Sequence, residues 1–306
     1  MSGPVAALSR DGARLHLQHG PIDLIVTAEP LRREAAPRAR RAAFAAAWAR
    51  FQPLLGEIVA ELDDLRAPSA GGLGAAGPGV PGRMRAAVAP HAAGGGAAAP
   101  QFVTPMAAVA GAVADEILAA MRAGADAAGA PLGRACVNNG GDAALHLAPG
   151  FAHRAEIRRL DGAPIGRLTL AAEDRPRGIA TSGRGGRSLS LGIADSVTAL
   201  AAGAAEADAA ATLIANAVDL PGAPEIARAP ARDVRADSDL GARRVVVSVA
   251  PLAPADRARA LAAGSARADA MRAEGRIVAA LLHLQGETRV LGTAGFAAGP
   301  AMLEAA

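Results

Sequence analysis

Length, composition and charge limit the classes of protein to which this chain can belong. The 306 residues are 51% hydrophobic but only 2% aromatic, with no tyrosine, which indicates a globular protein with small core contacts. All 32 basic residues are arginine, so no lysine is present for a Schiff base, a pyridoxal phosphate linkage or a Walker-type phosphate loop. The formal net charge of only +3 and the scarcity of aromatic residues argue against nucleic-acid binding.

The cysteine content and the lengths of the apolar segments indicate the cellular compartment of the protein. Cys136 is the single cysteine, which excludes an internal disulfide and a cysteine-cluster metal site. Its apolar neighbours favour a packed thiol over a nucleophile. The first fifteen residues contain no apolar run of signal-peptide length, and the alanine-rich runs elsewhere are too short for a membrane span. We therefore expect a cytoplasmic protein that does not bind membranes.

The chain begins with a predicted hairpin and a long helix. Apolar residues alternate in 14–27 around a Gly20-Pro21 turn, the pattern of a hairpin with one buried face. His16 in this hairpin is expected to face solvent, although a ligand role is the alternative. Residues 33–66 carry apolar side chains at helical spacing, and Pro53 is expected to kink or divide that helix.

A second helix is predicted from about Thr104 to Ala125. Thr104 suits the N-cap position, and the following proline suits the first helical position. The apolar stripe along this helix is interpreted as core. Between the two helices, residues 67–100 are so rich in glycine, alanine and proline that we predict a flexible insertion.

The second half of the chain repeats this alternation of strands and helices. The pattern predicts, in order, a hairpin turning at Asp161-Gly162, strands at 178–182 and 194–200, a helix at 204–217, a valine-rich central strand at 243–252, a helix at 254–274 and a final pair of strands.

The order of these elements predicts an α+β fold of antiparallel sheets with helices packed on one face. We interpret the chain as a single domain, residues 1–306, made of two halves at about 14–150 and 151–292 and a tail at 293–306. The repeated order suggests an internal duplication, although the halves share no evident sequence identity.

Five consecutive residues between two apolar runs are unusual for a strand. They are Asn138, Asn139, Gly140, Gly141 and Asp142. Glycine inside a strand pattern marks a bulge or a close approach to the backbone, and asparagine and aspartate favour turns. The segment is therefore a candidate binding site.

A second candidate is the turn formed by Thr181, Ser182 and Gly183. Backbone N–H groups in such a turn, together with hydroxyl groups and the nearby Arg184 and Arg187, can bind an anion such as a phosphate. Glycine-rich turns are common, so a purely structural turn is the alternative.

The third candidate is the pair Asp208 and Thr212. These residues lie four apart, which places them on one face of the predicted helix. A carboxylate and a hydroxyl suit Mg²⁺, which keeps several waters and takes further oxygens from a substrate phosphate. Alternatively, Asp208 interacts with the first turn of its own helix and Thr212 bonds back to a carbonyl.

Several motifs together resemble a known family. The segments VNNGGD, GIATSG, SLGIADSVTAL and AEADAAATLIANAV are similar in order and spacing to the ApbE-like superfamily of flavin transferases, and closest to its short, functionally uncharacterised bacterial and archaeal branch. The resemblance implies a two-layer T-fold that binds FAD and transfers FMN to a threonine of an acceptor protein. It assigns flavin or nucleotide binding to Asn138 through Asp142 and to Thr181 through Gly183, and Mg²⁺ to Asp208 and Thr212.

One segment departs from the transferase pattern. The transferases follow the T-S-G turn with His-x-x-Asp-Pro-x-Thr-Gly, whereas residues 184–196, RGGRSLSLGIADS, contain neither the histidine nor the Asp-Pro pair. Two functions therefore stay open: a Mg²⁺-dependent phosphotransferase acting on FAD or a related diphosphate, and a non-catalytic protein that binds FAD, FMN or a nucleotide. His153 and His283 receive no predicted role.

Overall fold

The computed structural model describes residues 3–69, 77–92, 102–159, 161–186, 188–292 and 295–298. The strands in these ranges are β1 (Val5–Leu8), β2 (Arg14–His19), β3 (Ile22–Pro30), β4 (Leu132–Asn139), β5 (Asp142–Leu147), β6 (Ala152–Arg158), β7 (Pro164–Ala171), β8 (Gly178–Ser182), β9 (Ser196–Ala201), β10 (Ile226–Pro230), β11 (Arg244–Val249), β12 (Ala279–Leu284), β13 (Glu287–Leu291) and β14 (Phe296–Ala298).

The helices in the same ranges are α1 (Ala36–Ala60), α2 (Leu62–Arg66), α3 (Gly79–Ala92), α4 (Val109–Ala127), α5 (Ala204–Ala217), α6 (Ala231–Val234) and α7 (Pro254–Ala273). Short 3-10 turns at Arg33–Ala35 and Pro105–Ala108 precede α1 and α4. None of the helices in these ranges is long and apolar enough to cross a bilayer.

A large antiparallel sheet organises the molecule. Within the described residues it has nine strands in the order β1-β2-β3-β4-β5-β8-β9-β12-β13. The helices α1, α4, α5 and α7 pack against β3, β4, β8, β9 and β12. Side chains alternate across the sheet, so Val137 in β4 joins the helix-side core while Cys136 lies on the opposite face. The chain therefore has the predicted α+β fold.

The face opposite the helices is covered in part by a second sheet. Strands β6, β7 and β14 form it, and Leu168 and Leu170 of β7 pack against Leu145 and Ile179 of the large sheet. Cys136 lies in this cluster, where burial raises the pKa of its thiol to about 12. The central strands are thus buried on both faces, and Cys136 is the packed thiol predicted.

Most of the predicted elements are confirmed. The first hairpin turns between His19 and Ile22, and its His16 is half-exposed and bonded to Asp23. The helix α5 has the predicted bounds. Pro53 does not divide the helix as one of the two expectations had it, because α1 continues past it to Ala60.

The valine-rich segment was predicted to be a central strand, and this prediction is wrong. Among the described residues, β11 pairs with β10 alone, in a separate two-stranded sheet. Val245 is buried, whereas Val247 on the same strand is 50% exposed. The run of valines reflects β propensity, which does not require a strand to be buried on both faces.

The segment 67–100 is not flexible throughout, because it contains α3. Val80, Met84 and Val88 recur every four residues and are fully buried, so this helix has one apolar face docked on the core. Residues 70–76 and 93–100 of the predicted insertion lie outside the described residues, as does most of the tail.

A buried histidine on α3 predicts a pH dependence of stability. His91 is 4% exposed, and its Nδ1 lies 3.1 Å from Nη1 of Arg276, which donates to it. Burial, aided by the charges of Arg276 and Arg267, lowers the pKa of His91 to about 4. Since unfolding restores a pKa of 6.5, the folded protein loses stability as the pH falls from 6.5 towards 4, by about 3 kcal/mol.

Urea unfolding at pH 7 and pH 4.5 measures this effect. The His91→Gln variant, which cannot be protonated, is expected to lose less stability between these pH values than the wild-type protein. An identical loss in both proteins would contradict the assignment.

Candidate functional site

The predicted candidate segments meet at one end of the large sheet. The β4–β5 hairpin turns at Gly140-Gly141, and β8, the neighbour of β5, runs towards this turn and ends at Ser182. The helix α5 packs across β8 and β9 and carries Asp208 and Thr212 over these strands.

Two hydrogen bonds join the candidate segments directly. Asp142 accepts a bond on Oδ1 from the backbone N–H of Thr181 at 2.9 Å. Thr212 donates from Oγ1 to Oγ of Ser182 at 3.3 Å. Ala144 of β5 and Ala180 of β8 belong to the helix-side core. Asp142 and Ser182 lie two residues from them on the same strands, so their side chains share that face.

Asp208 caps a neighbouring helix. Its carboxylate is 9% exposed and accepts a hydrogen bond from the N–H of Gly111, in the first turn of α4, at 3.0 Å. In return, Asp115 of α4 accepts bonds from Ala204 and Ala205, the first residues of α5, at 3.0 and 2.9 Å. Neither helix has a side-chain N-cap of its own, so α4 and α5 cap each other.

The carboxylates around Asp208 interact electrostatically. Burial raises the pKa of Asp208 well above its usual value, and the negative charges of Asp142 and Asp115 raise it further, against the effect of backbone N–H bonds. Burial also raises the pKa of Asp115. A cation beside Asp208 and Asp142 would stabilise their charged forms.

The two asparagines have structural roles in the hairpin turn. Asn138 accepts a bond on Oδ1 from the N–H of Gly141 at 3.0 Å, which fixes the turn. Asn139 is buried and donates from Nδ2 to the carbonyl of Ala110 at 3.1 Å, which ties the hairpin to α4. Gly140 and Gly141 have φ values of +66° and +120°, and a Cβ on Gly141 would meet no atom within 4 Å. The position beside Gly141 is therefore not filled by other atoms of the described residues.

Of the three residues in the T-S-G turn, only one places its side chain at the helix-side site. Thr181 points its hydroxyl to the other face of the sheet, where Oγ1 lies 2.9 Å from Oγ1 of Thr198. Gly183 has a φ of +149°, and a Cβ there would lie 2.6 Å from the carbonyl oxygen of Asp195, so close chain packing accounts for this glycine. Ser182 is the member whose side chain reaches the helix-side site, and Arg187 lies outside the described residues.

Gly111 and Asp115 were not among the residues predicted from the sequence. The available signal was an aspartate inside the otherwise apolar segment VAGAVAD, where a charged residue requires a partner. That partner, the start of α5, lies about ninety residues further along the chain.

The residues brought together offer carboxylate and hydroxyl oxygens, the kind of donor that Mg²⁺ prefers. Asp208 and Thr212 would hold it, with the oxygens of Asp142 and Ser182 nearby. The described ranges contain no group of three or more His, Cys, Asp or Glu side chains able to hold a metal. Mg²⁺ is commonly held by one or two carboxylates together with waters and substrate phosphates, and this small set of oxygen donors is of that kind.

Comparison with known proteins gives a family. Among curated proteins, none matches the chain significantly. The family described as AbpE bacteria matches residues 6–290, which is nearly the whole length. The chain therefore belongs to the AbpE bacteria family.

Proposed function

We propose that this protein is a cytoplasmic, Mg²⁺-dependent phosphotransferase of the ApbE type that acts on FAD or a related flavin or nucleotide diphosphate. The observation that carries the proposal is the meeting of two carboxylates, Asp142 and Asp208, with two hydroxyls, Ser182 and Thr212, beside the open Gly140-Gly141 turn. The sequence motifs and the family match support it.

Each part of the site has a proposed task. Asp208 and Thr212 hold Mg²⁺, which when bound neutralises phosphate oxygens that gain charge as the P–O bond breaks. The glycine turn lets the diphosphate approach the backbone without meeting a side chain. Buried Asp142 helps to hold the turn against β8 through the N–H of Thr181. FMN is proposed to form a P–O bond to a hydroxyl of a partner protein as its P–O bond to AMP breaks; AMP leaves and the hydroxyl proton passes to solvent. Without an acceptor protein, water takes the place of the hydroxyl and free FMN results.

The alternative is a protein that binds FAD, FMN or a nucleotide without transferring a group. The segment 184–196 favours it, because it supplies no histidine as a general base. This segment is also fastened to the fold, since the N–H of Leu191 bonds to Oδ1 of Asn216 at 3.0 Å.

Incubation of the purified protein with FAD and Mg²⁺ separates the two functions. The phosphotransferase is expected to release AMP and either free or protein-linked FMN, detected by chromatography and mass spectrometry, and to stop when EDTA is added. FAD binding without AMP release would support the binding protein. If FAD, FMN and ADP neither bind nor react, both functions are contradicted.

A further inference from the structure

We propose that Arg184 is the cationic ligand of the diphosphate at this site and that Asp195 is the residue that positions it. The inference rests on the proposed function, which it deepens by naming the group that recognises the phosphates. Neither residue belongs to the metal-binding pair or to the glycine turn.

The position of Arg184 in the sheet places it beside the site. It follows β8 by two residues, and β8 is hydrogen-bonded to β5, the strand that begins after Gly141. The guanidinium of Arg184 extends towards β9, the neighbour of β8 on the side away from β5, where it bonds to Asp195. Ser182, two residues earlier, already contacts Thr212.

The guanidinium is held in place by a chain of polar contacts. Nη2 of Arg184 lies 2.5 Å from Oδ1 of Asp195, and Oδ2 of Asp195 accepts a bond from the N–H of Gln285 at 2.5 Å. Gln285 lies in the β12–β13 turn with a φ of +44°, the one positive value for a non-glycine residue in the described ranges. Its side chain bonds to Ala250 and Leu252, each at 2.9 Å. Asp195 is therefore fixed from two sides.

Some N–H groups of Arg184 are not bonded to Asp195. Its Nε is buried and has no hydrogen-bond acceptor among the described residues, and Asp195 engages only Nη2. A buried donor without an acceptor is unfavourable, and most such groups in proteins have a partner. The side chain as a whole is 30% exposed, so part of the guanidinium is accessible. A guanidinium presents N–H donors that match phosphate oxygens, and we infer that a phosphate binds the accessible N–H groups that Asp195 does not engage.

Charge gives a second argument. Asp142 and Asp208 lie together at the helix-side site, and a diphosphate bound there adds negative charge. One Mg²⁺ ion offsets only part of this charge, so a fixed cation at the neighbouring strand end favours the bound ligand. Arg184 is the arginine that follows the T-S-G turn directly.

Isothermal titration with inorganic pyrophosphate and Mg²⁺ tests the proposal. Arg184→Gln is expected to weaken binding about 10- to 100-fold, the loss typical of hydrogen bonds to a charged group. Arg184→Lys is expected to recover part of this affinity, because it restores the charge without the paired donors.

Two further variants separate binding from folding. Asp195→Asn keeps an acceptor for the N–H of Gln285 but weakens the hold on Arg184, and we expect about a threefold to tenfold loss of affinity. The control Arg134→Gln breaks a partly exposed ion pair, 36% and 45% exposed, between Arg134 and Glu29 at the far end of β4 from the glycine turn, and should leave affinity within about twofold.

The outcomes are distinguishable. Wild-type affinity in both Arg184→Gln and Asp195→Asn would overturn this inference while leaving the proposed function intact. An equal loss in the Arg134→Gln control would also overturn it, because the effect would then be one of general destabilisation. If the wild-type protein binds neither pyrophosphate nor FAD, the proposed function itself fails.

Discussion

Replacement of Gly111 by alanine is expected to destabilise the protein by about 3 kcal/mol, the upper part of the usual range for overpacking. A Cβ on this residue would lie 2.1 Å from the carbonyl oxygen of Ala204 and 2.7 Å from the nitrogen of Ala205. The added methyl group must push α4 and α5 apart, which also stretches the bond between Gly111 and Asp208. Urea unfolding at neutral pH measures the change.

Gly56→Ala is the matched control for this variant. Gly56 also lies inside a helix, α1, but a Cβ there would meet no atom within 4 Å. Alanine at an open helical position is expected to stabilise the protein by about 0.5–1 kcal/mol. If Gly111→Ala were as stable as Gly56→Ala, the close contact between α4 and α5 would be wrong.

Gly141→Val is expected to abolish diphosphate binding, with at least about a hundredfold loss of affinity for FAD in the presence of Mg²⁺. The valine side chain would enter the open space beside the turn, where the proposed ligand approaches the backbone. A φ of +120° is also unfavourable for valine, so a stability cost of about 1–3 kcal/mol accompanies the change. Fluorescence titration of FAD and thermal unfolding measure the two effects separately.

Gly150→Val is the control for Gly141→Val, because it introduces similar backbone strain away from the site. Gly150 has a φ of +86° and no atom within 4 Å of its Cβ position, and it follows β5 at the end away from Gly141. A similar loss of stability with unchanged FAD affinity is expected. Equal FAD affinity in Gly141→Val and Gly150→Val would show that the Gly140-Gly141 turn has a structural role only.

Local patterns in the sequence predicted most of the fold. Hairpin turns and helix starts depend on residues close together in the chain, so α5 and the first hairpin were placed correctly. Whether β11 is central or peripheral depends on which strands pair with it, and a run of valines does not carry that information. The apolar spacing of α3 was present in the sequence but was masked by the glycine and alanine around it.

The candidate site was predictable to a similar extent. The four-residue spacing of Asp208 and Thr212 and the polar Asn138–Asp142 segment were visible as patterns. The direction of the Thr181 hydroxyl depends on strand register, because a shift of one residue reverses the face of every side chain. The cross-capping by Asp115 arises from the packing of two helices far apart in the chain.

Asp208 takes part both in the capping of α4 and in the proposed metal site. Its carboxylate stabilises the start of α4 and is also the residue proposed to hold Mg²⁺. A variant of Asp208 must therefore be checked for folding before a loss of binding is attributed to the metal. Asp208→Asn keeps one oxygen that can accept the bond from Gly111, which makes it preferable to alanine.

The most direct test of the account is the Mg²⁺ dependence of FAD binding, measured by isothermal titration with wild-type protein and with folded Asp208→Asn. If these carboxylates and hydroxyls form a magnesium–diphosphate site, Mg²⁺ should raise the FAD affinity of the wild-type protein by at least about tenfold and should have no effect on the variant. An equal effect of Mg²⁺ on both proteins, or none on either, would contradict the account.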